Sequence, residues 1–91
     1  MLFDWNPQKA ALNRRKHGVS FQEAATVFGD PLATTVVDPE HSGGETRYLT
    51  TGLSARGRVL IVWHTDRGDT VRIIGARETT ARERRVYERG E

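Results

Sequence analysis

Arginine, histidine and carboxylate side chains fall on β-like runs in the C-terminal half of the chain, and together they suggest phosphate chemistry. Arg47 lies in ETRYLTTGL, His64 in RVLIVWHTD, and Arg72 and Arg77 in TVRIIGAR. A guanidinium fork matches two phosphate oxygens at once, which an ammonium group cannot do. An imidazole can carry a proton near neutral pH, and a carboxylate such as Glu45 is a second candidate for that work. Arg77 closes its strand just ahead of Thr80, where a helix should begin, so helix amides could add donors for the same anion. Plainer readings stand beside these: His64 as a structural strand histidine, and Arg77 as a surface ion pair with Glu78, Glu83 or Glu45.

Whether His64 stands beside Arg72 turns on the hairpin between them. Two runs rich in Val and Ile flank Asp66-Arg67-Gly68-Asp69, which reads as a β-hairpin over residues 58–77. A three-residue loop sets His64 directly across from Arg72; a two-residue loop pairs Arg72 with Trp63 instead. In the first case the neighbouring cation lowers the imidazole pKa and favours a neutral base. The hairpin also holds the strongest core residues, among them Val59, Leu60, Ile61, Val62, Trp63, Val71, Ile73 and Ile74. It is the expected centre of a small sheet.

The remaining elements are built onto that hairpin. Leu2 to Trp5 reads as a short edge strand, or as an anchor that plugs Phe3 and Trp5 into the core. Asn6-Pro7 offers an N-cap and a first-turn proline, and Gly18 suits a left-handed cap, so a helix runs between them. Ser20 to Glu23 is a capping box opening a second helix with Phe21, Ala24 or Ala25, and Phe28 on one face. Strands follow at 32–37 and 45–53, separated by a loop at 38–44. Thr80 to Glu83 is another capping box; its helix reaches about Arg89 with a thin apolar stripe of Ala81, Val86 and Tyr87. Such a helix is lightly docked or completed by a partner. The expectation is a single α+β domain: a small antiparallel sheet, two N-terminal helices and one C-terminal helix gathered on one face, and the other face open and edged by arginines.

Composition bounds the function. A chain of 91 residues, 36% hydrophobic and 29% charged, is one soluble globular domain. Without cysteine it has neither a disulfide framework nor a thiolate metal site. No run approaches the roughly 18 apolar residues of a membrane span, and the N-terminus lacks the pattern of a signal peptide; a cytoplasmic protein is expected. The net charge of +2 says little, but Lys9, Arg14, Arg15 and Lys16 fall where no acidic residue intervenes between Asp4 and Glu23. That block either attracts phosphates or is a solvated helix face. Asp38, Glu40 and His41 are too loosely spaced to argue for a metal, and adjacent His41 and Ser42 rarely point together. Tyr48 and Tyr87 suit base stacking or half-buried packing.

The order and spacing of several motifs add a resemblance. Phe3 to Lys9 reads F-D-W-N-P-Q-K, and Arg15 to Ala24 reads R-K-H-G-V-S-F-Q-E-A. D-P follows at Asp30-Pro31, D-P-E-H-S at 38–42, E-T-R-Y-L-T-T-G from Glu45 to Gly52, and V-W-H-T from Val62 to Thr65. R-I-I-G-A-R then runs from Arg72 to Arg77, and E-R-R-x-Y from Glu83 to Tyr87. Over essentially its whole length the chain resembles the BrnT family of type II toxins, relatives of the RelE-type ribonucleases. The resemblance implies a RelE-like α+β fold and a toxin that cuts mRNA and inhibits translation. It also implies silencing by a cognate BrnA-like ribbon-helix-helix antitoxin, through which the complex meets operator DNA. A homodimer within that complex is compatible with this.

Chemistry then assigns the roles for a metal-free, cofactor-free cleavage. Arg47, Arg72 and Arg77 form the phosphate clamp. His64 is the first choice for proton transfer and Glu45 the second. Lys9, Arg15, Lys16, His17 and Arg56 track the RNA backbone, and Tyr48 or Tyr87 stacks a base. The rivals are a non-catalytic basic module that only grips RNA or a partner, and a metal nuclease built on Asp38, Glu40 and His41.

Overall fold

The hairpin does sit at the centre. A computed structural model describes residues 1–40 and 44–90, so the expectations about His41 and Ser42 lie outside the described residues. Strands β1 (Leu2–Trp5), β2 (Thr34–Val37), β3 (Arg47–Leu53), β4 (Val59–Arg67) and β5 (Thr70–Glu78) form one sheet in the order β1-β5-β4-β3-β2. Helices α1 (Pro7–His17) and α2 (Phe21–Thr26) follow β1, with a 3-10 turn at Val27–Gly29, and α3 (Ala81–Arg89) ends the chain.

The caps form as their residue types dictate. The Asn6 side chain accepts hydrogen bonds from the Gln8 and Lys9 amides, and Thr80 and Glu83 make a reciprocal capping box. Ser20 accepts from the Glu23 amide, but the box expected there stays half formed because the Glu23 carboxylate turns to Arg58 and Ser54. On the face covered by α1 and α2, Leu60, Val62, Val71, Ile73 and Ala76 of the sheet meet Val19, Phe21, Ala24 and Val27. Glu23, nearly buried in α2, accepts hydrogen bonds from Arg58 and from the Ser54 hydroxyl, which ties that helix to the β3–β4 hairpin.

The sheet is mixed, not antiparallel throughout: β1 lies parallel to β5, while the other pairs are antiparallel. The edge placement follows from its aromatics. Phe3 and Trp5 point under the helices, 5.4 Å from Phe28 and 5.9 Å from Phe21 between ring centroids. Beyond Trp5 the edge of β5 is closed by a side chain. Asn13 of α1 accepts a hydrogen bond from the Ala76 amide at 3.1 Å and donates to the Ala76 carbonyl at 2.9 Å. An amide side chain thus covers an edge that could otherwise recruit another strand.

Two expectations are corrected by register and by face. In the hairpin, Arg67 pairs with Thr70 around a Gly68-Asp69 loop, so Thr65 stands opposite Arg72 and neither His64 nor Trp63 does. Gly68 adopts φ 61°, the first loop position of a type II′ turn, which favours glycine. A bulge between Trp63 and His64 pairs Trp63 with Gly75 and His64 with Ile73, leaving Ile74 as the extra residue.

The helices are not gathered on one face. α3 crosses to the opposite side, where Glu83, Val86, Tyr87 and Gly90 share a groove of about 240 Å³ with Thr34, Thr51 and Ile61. Polar contacts hold it there: the Tyr87 hydroxyl donates to Asp30, and Arg77 donates to Glu83. None of its residues is buried, as its thin apolar stripe implied.

Candidate functional site

At the end of the sheet away from α3, one cross-strand row gathers two of the predicted arginines. Thr65 of β4 has Arg47 opposite it on β3 and Arg72 opposite it on β5. Strands lie about 4.8 Å apart, so the two arginine Cα atoms stand roughly 10 Å from one another. Both project from the face that neither α1 nor α2 covers. Their guanidinium groups are long enough to converge on a single anion above Thr65. Arg72 is met by Asp4 of β1 at 3.2 Å; Arg47 has no ion pair among the described residues. The Thr65 hydroxyl is buried and has no hydrogen-bond partner among the described residues.

Arg77 shares this face but not this row. It stands opposite Ile61, about 13 Å along the strand from Thr65 at roughly 3.3 Å per residue. Its guanidinium carbon is 5.6 Å from the Trp63 ring centroid, a cation–π distance. Both terminal nitrogens donate to Glu83, at 2.8 and 2.9 Å. That fork is the largest influence on Glu83, whose pKa falls from 4.5 to about 2, and it raises that of Arg77. A row of Leu49, Trp63 and Gly75 separates the two cationic regions.

Glu45 is at the Thr65 end. Its carboxylate accepts from Arg67 at 2.7 and 2.9 Å. Arg67 chiefly, and the charge of Arg72 in smaller part, lower its pKa. A carboxylate held in this way is a weak proton acceptor.

His64 does not join the arginines, which corrects the picture of a base beside Arg72. Strand alternation carries it with Leu60 and Val62 onto the helix-covered face, where it is 2% exposed. Phe28 meets it edge-on at 5.0 Å and Tyr48 stacks on it at 5.7 Å. Its Nε2 is 2.7 Å from the Thr50 hydroxyl and its Nδ1 is 2.9 Å from an Asp66 carboxylate oxygen. Those partners assign the neutral tautomer, with Nδ1–H donating to Asp66 and Nε2 accepting from Thr50. Desolvation lowers the His64 pKa, and Asp66 opposes the fall. This histidine braces the sheet and is closed to a phosphate on the other side.

The predicted backbone-tracking residues are spread over other surfaces. Lys9, Arg15, Lys16 and His17 belong to α1, on the far side of the sheet from the arginine row. Lys9, Lys16 and His17 line a groove there with Leu12, Asn13 and Ile74. Arg56 lies in the β3–β4 turn, at the end remote from Thr65. Tyr48 is on the histidine side, and Tyr87 is tied to Asp30. Sequence reasoning missed Thr65 and took Trp63 for core. The signal for both is the strand register, which becomes readable once Gly68 is taken as the first loop residue. Among the described residues, no three of His, Cys, Asp or Glu gather where they could hold a metal ion.

A family model described as "Ribonuclease toxin, BrnT, of type II toxin-antitoxin system" matches residues 5–83. The chain belongs to the BrnT family. Among solved structures, the Brucella abortus ribonuclease toxin BrnT is similar, with a TM-score of 0.63 and 18% sequence identity over 88% of this chain and 99% of that one. At that identity the likeness establishes the fold, a five-stranded mixed sheet with three helices. No curated protein sequence matches. Membership of BrnT makes the chain a ribonuclease toxin of a type II system and implies an antitoxin partner. No described helix is long and apolar enough to cross a membrane.

Proposed function

We propose that this BrnT toxin is a metal-independent endoribonuclease of RelE type that cuts mRNA in the cytoplasm and so inhibits translation. The observation that supports this most is the row of Arg47, Thr65 and Arg72 on an open sheet face. Cleavage of RNA without a metal uses the adjacent 2′-OH as nucleophile on the phosphorus. Negative charge builds on the phosphorane oxygens, and the P–O5′ bond breaks, the 5′-oxygen taking up a proton from water as it leaves. Arg47 and Arg72 grip those oxygens from opposite sides. Preorganised charge of this kind is often the largest single contribution to catalysis. Glu45, at the same end of the sheet, takes the 2′-OH proton in this reading; being a weak base, it contributes less than the arginines. Arg77 and Trp63 hold the next stretch of RNA, by charge and by stacking on a base.

A BrnA-like ribbon-helix-helix antitoxin silences the toxin by covering the arginine face, and operator DNA is reached only through that antitoxin. A homodimer within the complex fits this reading. The non-catalytic alternative, a module that only grips RNA or a partner, draws on one observation: no histidine of the described residues stands on the arginine face.

Incubating the purified protein with RNA in EDTA separates these readings. Fragments ending in 2′,3′-cyclic phosphate are expected. Binding without fragments overturns the nuclease in favour of the module, and activity that EDTA abolishes overturns the metal-free route.

A further inference from the structure

We propose that Thr65 completes the phosphate subsite: its hydroxyl donates a hydrogen bond to the same non-bridging phosphate oxygens that Arg47 and Arg72 hold. This rests on reading the face as phosphate-binding. The side chain is 5% exposed, and its oxygen is buried with no partner among the described residues. The other buried hydroxyls among the described residues are satisfied. Thr50 bonds His64 at 2.7 Å, and Ser54 donates to Glu23 at 2.7 Å. Leaving a buried hydroxyl unpaired is costly, and valine would fill the same shape without that cost. A donor kept in this condition between two arginines is poised for an acceptor that arrives with the ligand.

The placement suits a tetrahedral anion. Arg47 and Arg72 flank Thr65 on the two neighbouring strands, so an anion above Thr65 lies within reach of both forks as well as of the hydroxyl. Thr65 sits on the central strand of the sheet, paired on both sides. Asp4 engages Arg72 from the side away from Thr65, so an anion above Thr65 competes with Asp4 for that guanidinium.

The test compares Thr65→Val and Thr65→Ser with the parent in three assays. These are thermal unfolding, binding of a 2′-deoxy oligonucleotide that lacks the internal nucleophile, and cleavage of RNA. Thr65→Val should melt at or above the parent, yet bind the oligonucleotide and cut RNA roughly 10–100-fold less well, the range for a hydrogen bond to a charged group. Thr65→Ser should retain both activities. In an Arg47→Ala/Arg72→Ala background the valine change should have little further effect. Undiminished binding by Thr65→Val overturns the proposal, and so does a lowered melting temperature, which would give the hydroxyl a structural partner. If the parent binds but does not cut, while valine still weakens binding, the subsite stands and the nuclease falls. If parent and valine variant cut alike, the nuclease stands and the role of Thr65 falls.

Discussion

Replacing Glu83 by Gln should both loosen α3 and release Arg77. The carboxylate receives both Arg77 nitrogens and the Thr80 amide, the latter at 2.8 Å. A pKa lowered from 4.5 to about 2 corresponds to roughly 3 kcal/mol at face value, at about 1.4 kcal/mol per pH unit. The side chains are 34% and 31% exposed, and solvent screening reduces this to about 1–2 kcal/mol. For a domain of this size that is a melting-temperature difference of about 4–16 °C. The folded pKa lies below the unfolded one, so the stabilisation is complete above pH 4.5 and drains away as the pH falls toward 2. Gln cannot ionise but can still accept one hydrogen bond from Arg77 and one from Thr80, so the change isolates the charge. Circular-dichroism melts of parent and variant across that pH window are the assay. The gap should be widest near neutrality and close in acid. Curves that run parallel through the window would refute the reasoning, as would equal stability at neutral pH. With the charge facing Arg77 gone, RNA binding should tighten a few-fold, and its salt dependence should steepen by about 0.7 in log–log slope if one more phosphate is contacted.

Other outcomes follow from the same face. Arg47→Ala and Arg72→Ala should each lower RNA cleavage about 10–100-fold while moving the melting temperature by only a few degrees, since neither is buried; gel-based cleavage rates beside thermal melts check this. Asp4→Asn should free Arg72 and strengthen oligonucleotide binding a few-fold, measured by fluorescence anisotropy. His64→Ala should cost about 2–4 kcal/mol of stability through the cavity and the stranded Thr50 and Asp66 partners, measured by urea unfolding. Because the folded His64 pKa is lowered, the parent loses stability as the pH falls below about 6.5, and this variant should lack that slope.

Much of the architecture was written locally. Asn6-Pro7, Ser20 and Thr80 announce helix starts through side-chain caps, and the Val/Ile runs announce strands, because both signals act within a few residues. What went unread was relational. The parallel seat of β1 depends on Phe3 and Trp5 finding Phe28 and Phe21, contacts distant in sequence. The side taken by α3 depends on Asp30 and Arg77 offering partners to Tyr87 and Glu83. For the candidate site, guanidinium groups could be nominated by type, but their neighbours could not be named without register. A three-residue loop sets His64 opposite Arg72 and a two-residue loop one position early sets Trp63 there; the loop at Gly68-Asp69 sets Thr65 there instead. His64 alternates with Leu60 and Val62, but Val59, Ile61 and Trp63 make the other face just as apolar, so only the seating of α1 and α2 decides which side is packed.

The bulge at Ile74 has a consequence for the whole arginine face. Arg72 and Arg77 are five positions apart, an odd interval that regular pleating would send to opposite sides of the sheet. The extra residue works as a half-period phase shift, bringing both cations to the same side. Removing Ile74 would restore regular alternation and turn one end of β5 over. Arg77 would be driven into the apolar layer, or Val71 and Ile73 out of it. A single-codon deletion there would reach the site without touching any residue in it.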